Sequence, residues 1–233
     1  MGNASQMARS TNTDQRGPAA GKAARIAVVG AYGSGKTLLS RSLARLTGMP
    51  PARLRPMDRP VGAPQRTIAD CTPAQLLQLT VRRYTERVAE EQRLADGFVS
   101  DGFAAHEWIY AKTRLVAGSF PDRPDPLAGR RREPAVAAYE EVADQLGLLM
   151  LEHSAHAYDL FVHVPVEFPL AAGNRPVNEN FRLITEELLA GVLGRLGVPV
   201  HTAAGPPARR LEQLAAALGL SPVIGIEQAL AEP

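Results

Sequence analysis

Arg25-Ile-Ala-Val-Val-Gly-Ala-Tyr-Gly-Ser-Gly-Lys-Thr-Leu-Leu-Ser40 joins an apolar, β-branched run to Gly30-x-x-x-x-Gly35-Lys36-Thr37, the full Walker A spacing for holding nucleotide phosphates. With 20 Gly, 3 Lys and 20 Ser or Thr in 233 residues, chance supplies roughly 0.002 such matches in the chain. The context agrees with the motif. Ile26 to Val29 reads as a buried parallel strand, and Leu38, Leu39, Leu43 and Leu46 recur at helical spacing after Lys36. Strand, loop and helix therefore come in the order that points successive backbone N–H groups, and the positive end of a helix, at an anion.

The loop fixes a set of candidate residues. Gly30, Ala31, Tyr32, Gly33, Ser34, Gly35, Lys36, Thr37 and Leu38 form the expected cradle for ATP or GTP, with Lys36 on the β- and γ-phosphates and the Thr37 hydroxyl on Mg²⁺. The sequence does not distinguish ATP from GTP.

Outward from the loop, strands are expected at Gly97–Asp101, Asp159–Pro165 and Gly197–Thr202, with a weaker one at Ala52–Met57. Helices are expected over Pro73–Ala95, Ala104–Ala117, Pro134–His153, Val177–Leu196 and Pro207–Leu218, the first capped by Thr72 with Pro at its first position. This alternation predicts an α/β fold of the P-loop NTPase type, a parallel sheet of about five strands with helices on both faces. Residues 1–22, rich in small and polar side chains, read as a flexible tail, and 23–233 as a single domain with excursions at 48–66 and 118–134.

Composition narrows the function classes. The net charge is +2, which gives no case for nucleic-acid binding. The single Cys71 excludes an internal disulfide and a cysteine zinc cluster, and no apolar run reaches membrane-span length. A cytoplasmic protein with a small-molecule partner is the expectation, and a homodimer is compatible with the sequence.

Ligands of such a sheet sit beyond the carboxyl ends of its strands, which singles out Asp101 at the end of Phe98-Val-Ser-Asp101. Its carboxylate is placed to hold Mg²⁺ through water or to accept a proton from a hydroxyl substrate, although a helix-capping role is open to it as well. Arg175 and Arg182, on either side of a helix start after the Asp159–Pro165 strand, are candidates for neutralising a transferring phosphoryl group, with Glu179 or Glu186 as alternative partners for Arg182. Arg209, in the loop after the last strand, is a candidate for stacking on the base. Trp108 and Lys112 lie one helical turn apart, with core packing the better reading for Trp108. His153 and His156 have the spacing of a metal pair but no third ligand, and Arg130 to Arg132 read as a solvated charge run.

Taken together, Gly30 to Thr37, the Gly97–Asp101 strand, the Tyr158-Asp-Leu-Phe-Val-His-Val strand followed by the Arg175 segment, and the Arg210-Leu-Glu-Gln-Leu helix resemble the P-loop kinase-like ATPases that include bacterial ribosylnicotinamide kinase domains and nucleotide kinases. The resemblance spans residues 25–218. It implies phosphoryl transfer from ATP or GTP to a hydroxyl of a nucleoside-like molecule, with Asp101 as base and Arg175 in a lid. One departure is Gly102, where that family commonly carries Arg after the strand-end Asp. A non-catalytic nucleotide-sensing protein is the alternative. A Ras-like GTPase is disfavoured by the lack of an Asn-Lys-x-Asp sequence.

Overall fold

The computed structural model describes residues 24–54, 59–94, 96–117, 133–170 and 177–231. The expected tail, Arg130 to Arg132 and Arg175 lie outside them. Five strands, β1 (Arg25–Val29), β2 (Pro51–Ala52), β3 (Phe98–Asp101), β4 (Leu160–His163) and β5 (Val200–Thr202), form one sheet in the order β2-β3-β1-β4-β5. Every pairing is parallel. The expected α/β architecture is therefore the observed one.

Burial on both faces explains why β1 reads as a continuous apolar run rather than an alternating one. Ile26 and Val28 point to one side, where they pack with Leu39, Leu43 and Leu46 of α1 (Lys36–Thr47) and Leu211 and Leu214 of α6 (Pro207–Leu218). Ala27 and Val29 point to the other, among Phe98, Phe103, Ile109, Phe161, Leu189 and Val192. On that second side lie α3 (Ala105–Ala117), α4 (Pro134–Ala157) and α5 (Glu179–Leu193). A third cluster, Leu76, Ala111, Leu115, Val136, Tyr139 and Ala143, joins α2 (Pro73–Arg93) to α3 and α4.

Local signals set most boundaries. Thr72 caps α2 as expected, and the cap is reciprocal: the Gln75 N–H donates to Thr72 Oγ1 at 3.3 Å while Gln75 Oε1 accepts from the Thr72 N–H at 3.0 Å. Helix α5 starts later than Val177, because Asn178 Oδ1 accepts from the Phe181 N–H at 2.7 Å and so serves as its N-cap.

Helix α4 runs past His153 to Ala157. The weak strand expected over Ala52–Met57 amounts to Pro51–Ala52, with 55–58 outside the described residues. A short C-terminal helix, α7 (Ile226–Leu230), is not among the expected elements; it packs Ile226, Ala229 and Leu230 against the core cluster of α1 and α6. Among the described residues no helix is long and apolar enough to cross a membrane.

Candidate functional site

The Walker segment forms the turn from β1 into α1. Gly35 occupies the helix N-cap in the left-handed region, with φ of 92°, where a side chain would be strained. No side chain caps α1, and its first turn carries no acidic residue, so its positive end is left for an anion. Lys36 is half-buried, while Tyr32, Gly33, Gly35, Thr37 and Leu38 are exposed. Ala31 is placed differently. It is fully buried and its N–H donates to Glu186 Oε2 at 3.3 Å.

β3 lies directly beside β1, with Asp101 in register with Val28. Neighbouring strand ends bring the two sequence-selected polar residues together: Thr37 Oγ1 donates to Asp101 Oδ2 at 2.7 Å. The other carboxylate oxygen, Oδ1, is buried without a hydrogen-bond partner. A hydroxyl and a carboxylate in contact, with one oxygen unspent, suit a hard cation such as Mg²⁺, which takes one or two protein oxygens and completes its shell with water and phosphate. No cluster of three or more His, Cys, Asp or Glu able to hold a metal occurs among the described residues, so His153 and His156 form no such site. His153 Nε2 instead faces Glu91 Oε2 at 3.2 Å, and His156 Nδ1 lies 2.8 Å from the Glu152 carbonyl.

Asp101 does not act as the cap of α3. The turn after it is made by Gly102, with φ of 88° and its N–H donating to Val28 O at 2.8 Å. A Cβ at position 102 would stand 2.7 Å from His106 Nδ1 and 3.3 Å from Arg87 Nη2. Here lies a physical reason for Gly102: the backbone is left-handed and the space a side chain needs is occupied.

The occupants are charged or polar and deeply buried. Arg87 Nη1 donates to Ser100 Oγ at 2.8 Å, and its Nη2 to the Asp101 carbonyl at 3.3 Å. Burial disfavours its charge, but Tyr158, Glu91, Glu107 and Asp101 outweigh burial and raise its pKa. Tyr158 donates to Glu91 Oε1 at 2.6 Å and accepts from the Ala104 N–H at 3.1 Å. Burial first, then Glu91, pushes the Tyr158 phenol well above its ordinary range.

His106 stacks on Tyr110 with ring centroids 5.6 Å apart, and its Nδ1 accepts from the Phe103 N–H at 3.3 Å. That bond places the ring hydrogen on Nε2, which is buried and unpartnered. Burial, followed by the charges of Lys36, Arg87 and His163, holds the pKa of His106 well below its ordinary value, so the imidazole is neutral at pH 7.

The remaining candidates separate. Arg182 is 2% exposed and its Nε donates to Glu179 Oε1 at 3.0 Å, so Glu179 rather than Glu186 is its partner, a buried guanidinium against an exposed carboxylate. It also reaches the phosphate loop, since a Cβ on Gly33 would lie 3.8 Å from Arg182 Nη1. Glu186 pairs instead with His163 Nε2 at 2.6 Å.

Arg209 is exposed, and a Cβ on Gly205 would lie 3.5 Å from its Cδ. Its neighbour Arg210, which the sequence reading passed over, is buried and donates from Nη1 to the Ser34 carbonyl at 3.0 Å. Glu167, just beyond β4, accepts from Arg210 Nη2 at 2.5 Å and from the Gly205 N–H at 2.9 Å. These bonds, that of Gly205 foremost, lower the pKa of Glu167. One guanidinium thus ties the phosphate loop to the segments after β4 and β5. Position 210 shares the helical face of Leu214, but that phase selects it only once the packed face of α6 is known.

Trp108 is a packing residue, as the better reading had it. Its indole fills the space beside Gly147, where a Cβ would stand 2.4 Å from Trp108 Cδ1, and its Nε1 donates to Asp144 at 3.2 Å. Lys112 pairs with Glu140 and Asp144 at 3.2 and 2.9 Å.

Set against known proteins, the fold has a structural counterpart. The deoxyadenosine kinase of M. mycoides, solved with dATP bound, superposes with a TM-score of 0.59 over 84% of this chain and 99% of its own, at 12% identity. The chain has the α/β fold of the P-loop NTPases. No protein-family model and no curated protein matches the sequence.

Proposed function

We propose that this chain is a kinase that transfers the γ-phosphoryl group of ATP or GTP to a hydroxyl of a small, nucleoside-like acceptor. The observation that supports the reading is the contact of Thr37 Oγ1 with Asp101 Oδ2 at 2.7 Å beside the Walker loop. The loop amides and Lys36 bind and orient the phosphates. Thr37 and Asp101 hold Mg²⁺, which neutralises charge on the phosphate oxygens when bound. Asp101 also takes the acceptor's proton in this reading. Arg182, beside Gly33, adds a fixed positive charge near the loop, and Arg175 takes the same role from the segment before α5. The low identity to the deoxyadenosine kinase leaves the acceptor open across nucleosides, nicotinamide riboside included.

The test is nucleotide turnover against a panel of nucleosides and hydroxylated metabolites, wild type beside Asp101→Asn. The expected result is phosphorylation of a panel member by wild type and a loss of about a hundredfold or more in the variant. Tight nucleotide binding with no phosphorylated product, and no difference between the two proteins, would leave nucleotide sensing as the function.

A further inference from the structure

The end of β3 is held from behind by a guanidinium to which phosphoryl transfer, as described, gives no role. Arg87 sits on the buried stripe of α2 with Leu76 and Thr80 and is itself 3% exposed. Its hydrogen bonds go to the last two residues of β3, to Ser100 Oγ at 2.8 Å and to the Asp101 carbonyl at 3.3 Å. The nearest carboxylate, Glu91 Oε1, stands 3.6 Å away, beyond hydrogen-bond distance. Glu91 Oε1 accepts from Tyr158 and, at 3.4 Å, from the same Ser100 Oγ that Arg87 binds, while Glu91 Oε2 faces His153. A buried ion pair kept only for stability is readily replaced by apolar side chains, and it would aim its donors at its partner. Arg87 aims them at the strand end. Position 102 cannot supply a substitute, since its Cβ would meet His106 and Arg87 itself.

We infer that Arg87 is a positioning residue for Asp101: by fixing Ser100 and the Asp101 backbone it holds the carboxylate against the Thr37 hydroxyl in the arrangement that receives Mg²⁺. The inference rests on the reading of Thr37 and Asp101 as the Mg²⁺ pair. It makes metal affinity a property of helix α2, which contributes no ligand. Partners that orient a metal's ligands typically cost tenfold or more in metal affinity when removed.

The experiment measures affinity for ATP and GTP by calorimetry at a series of Mg²⁺ concentrations, with no acceptor and no turnover, in wild type, Asp101→Asn, Arg87→Met and Arg87→Lys, each first checked for a cooperative melt. In Arg87→Met the Mg²⁺ midpoint is expected to rise about tenfold while metal-free nucleotide affinity stays within about twofold. A folding defect alone would reduce the binding-competent fraction without moving that midpoint. If Arg87→Met does not fold, Arg87→Lys decides. Lysine keeps the charge but lacks the fork that spans both acceptors, so its midpoint should also rise. An unchanged midpoint in the folded Arg87 variant, with Asp101→Asn shifted, overturns the inference and leaves the Mg²⁺ pair standing. An unchanged midpoint in Asp101→Asn overturns both.

Discussion

The carboxyl ends of β1 and β3 lie side by side and are built in opposite ways. The first opens into a glycine loop whose tip is exposed at Tyr32, Gly33, Gly35, Thr37 and Leu38, and it offers backbone. The second ends in a packed set of buried polar groups, Arg87, Glu91, Ser100 and His106, around a glycine with no room for a side chain. The difference teaches where each kind of function is stored. A phosphate grip made of main-chain amides needs only a local conformation, so a short motif encodes it. A carboxylate held at a defined point needs supports from several elements, and the groups packed behind Asp101 are polar and charged side chains taken out of water.

The comparison breaks most visibly if the buried set is inert. Removing Glu91 takes away the carboxylate nearest the buried Arg87 guanidinium and the acceptor of Tyr158 and Ser100, so Glu91→Ala should lose about 3 to 5 kcal/mol of unfolding free energy by urea denaturation, whereas an exposed charge change costs far less. A loss below about 1 kcal/mol would show that water or rearrangement compensates.

The β1 end should respond in the opposite sense. Lys36→Ala ought to melt like wild type yet bind ATP and GTP about tenfold or more weakly by calorimetry, a change of about 1.4 kcal/mol or more. Unchanged affinity would remove the basis for a phosphate site there.

The two adjacent arginines of α6 sharpen the comparison further. Arg210→Met, which cuts the tie between Ser34 and Glu167, should weaken nucleotide binding by several-fold, about 1 kcal/mol. Arg209→Ala, at an exposed side chain, should change it less than twofold unless Arg209 stacks on the base as the sequence suggested. The paired measurement therefore decides which arginine matters to the nucleotide.

The smallest effect is a pH slope. His106 is neutral in the folded protein because burial and nearby positive charges depress its pKa, whereas an unfolded histidine titrates near 6.5. Below that value the unfolded chain takes up a proton that the native one refuses, so stability present above pH 6.5 is lost as pH falls. The melting temperature should decline from pH 7 to 5 in wild type and more gently in His106→Gln. Parallel declines would place the titrating group elsewhere.

Much of this fold is legible residue by residue. Ile26 to Val29 reads as a two-face buried strand, Thr72-Pro73 as a helix start and Gly30 to Thr37 as the phosphate loop, because each rests on interactions within a few residues of chain. Asp101 was accessible for a related reason, as the last residue of a strand in a parallel sheet. Arg87 and Arg210 were not. Each is one arginine among 23 in the sequence, and only the neighbours it meets distinguish it. The Arg209 candidate shows the limit well. One position along the helix separates an exposed arginine from a buried one, and helical phase decides between them only when the packed face is known.

Sequence alone determined the strand, the phosphate loop and the helix, since glycine freedom, lysine charge and apolar periodicity are properties of contiguous residues. Tertiary structure decided which side chains surround Asp101. The sheet order places β3 beside β1, which brings Thr37 to Asp101, and the packing of α2 against β3 places Arg87 behind them. Contacts between residues 14 and 64 positions apart depend on how the elements assemble, and no local pattern encodes that assembly.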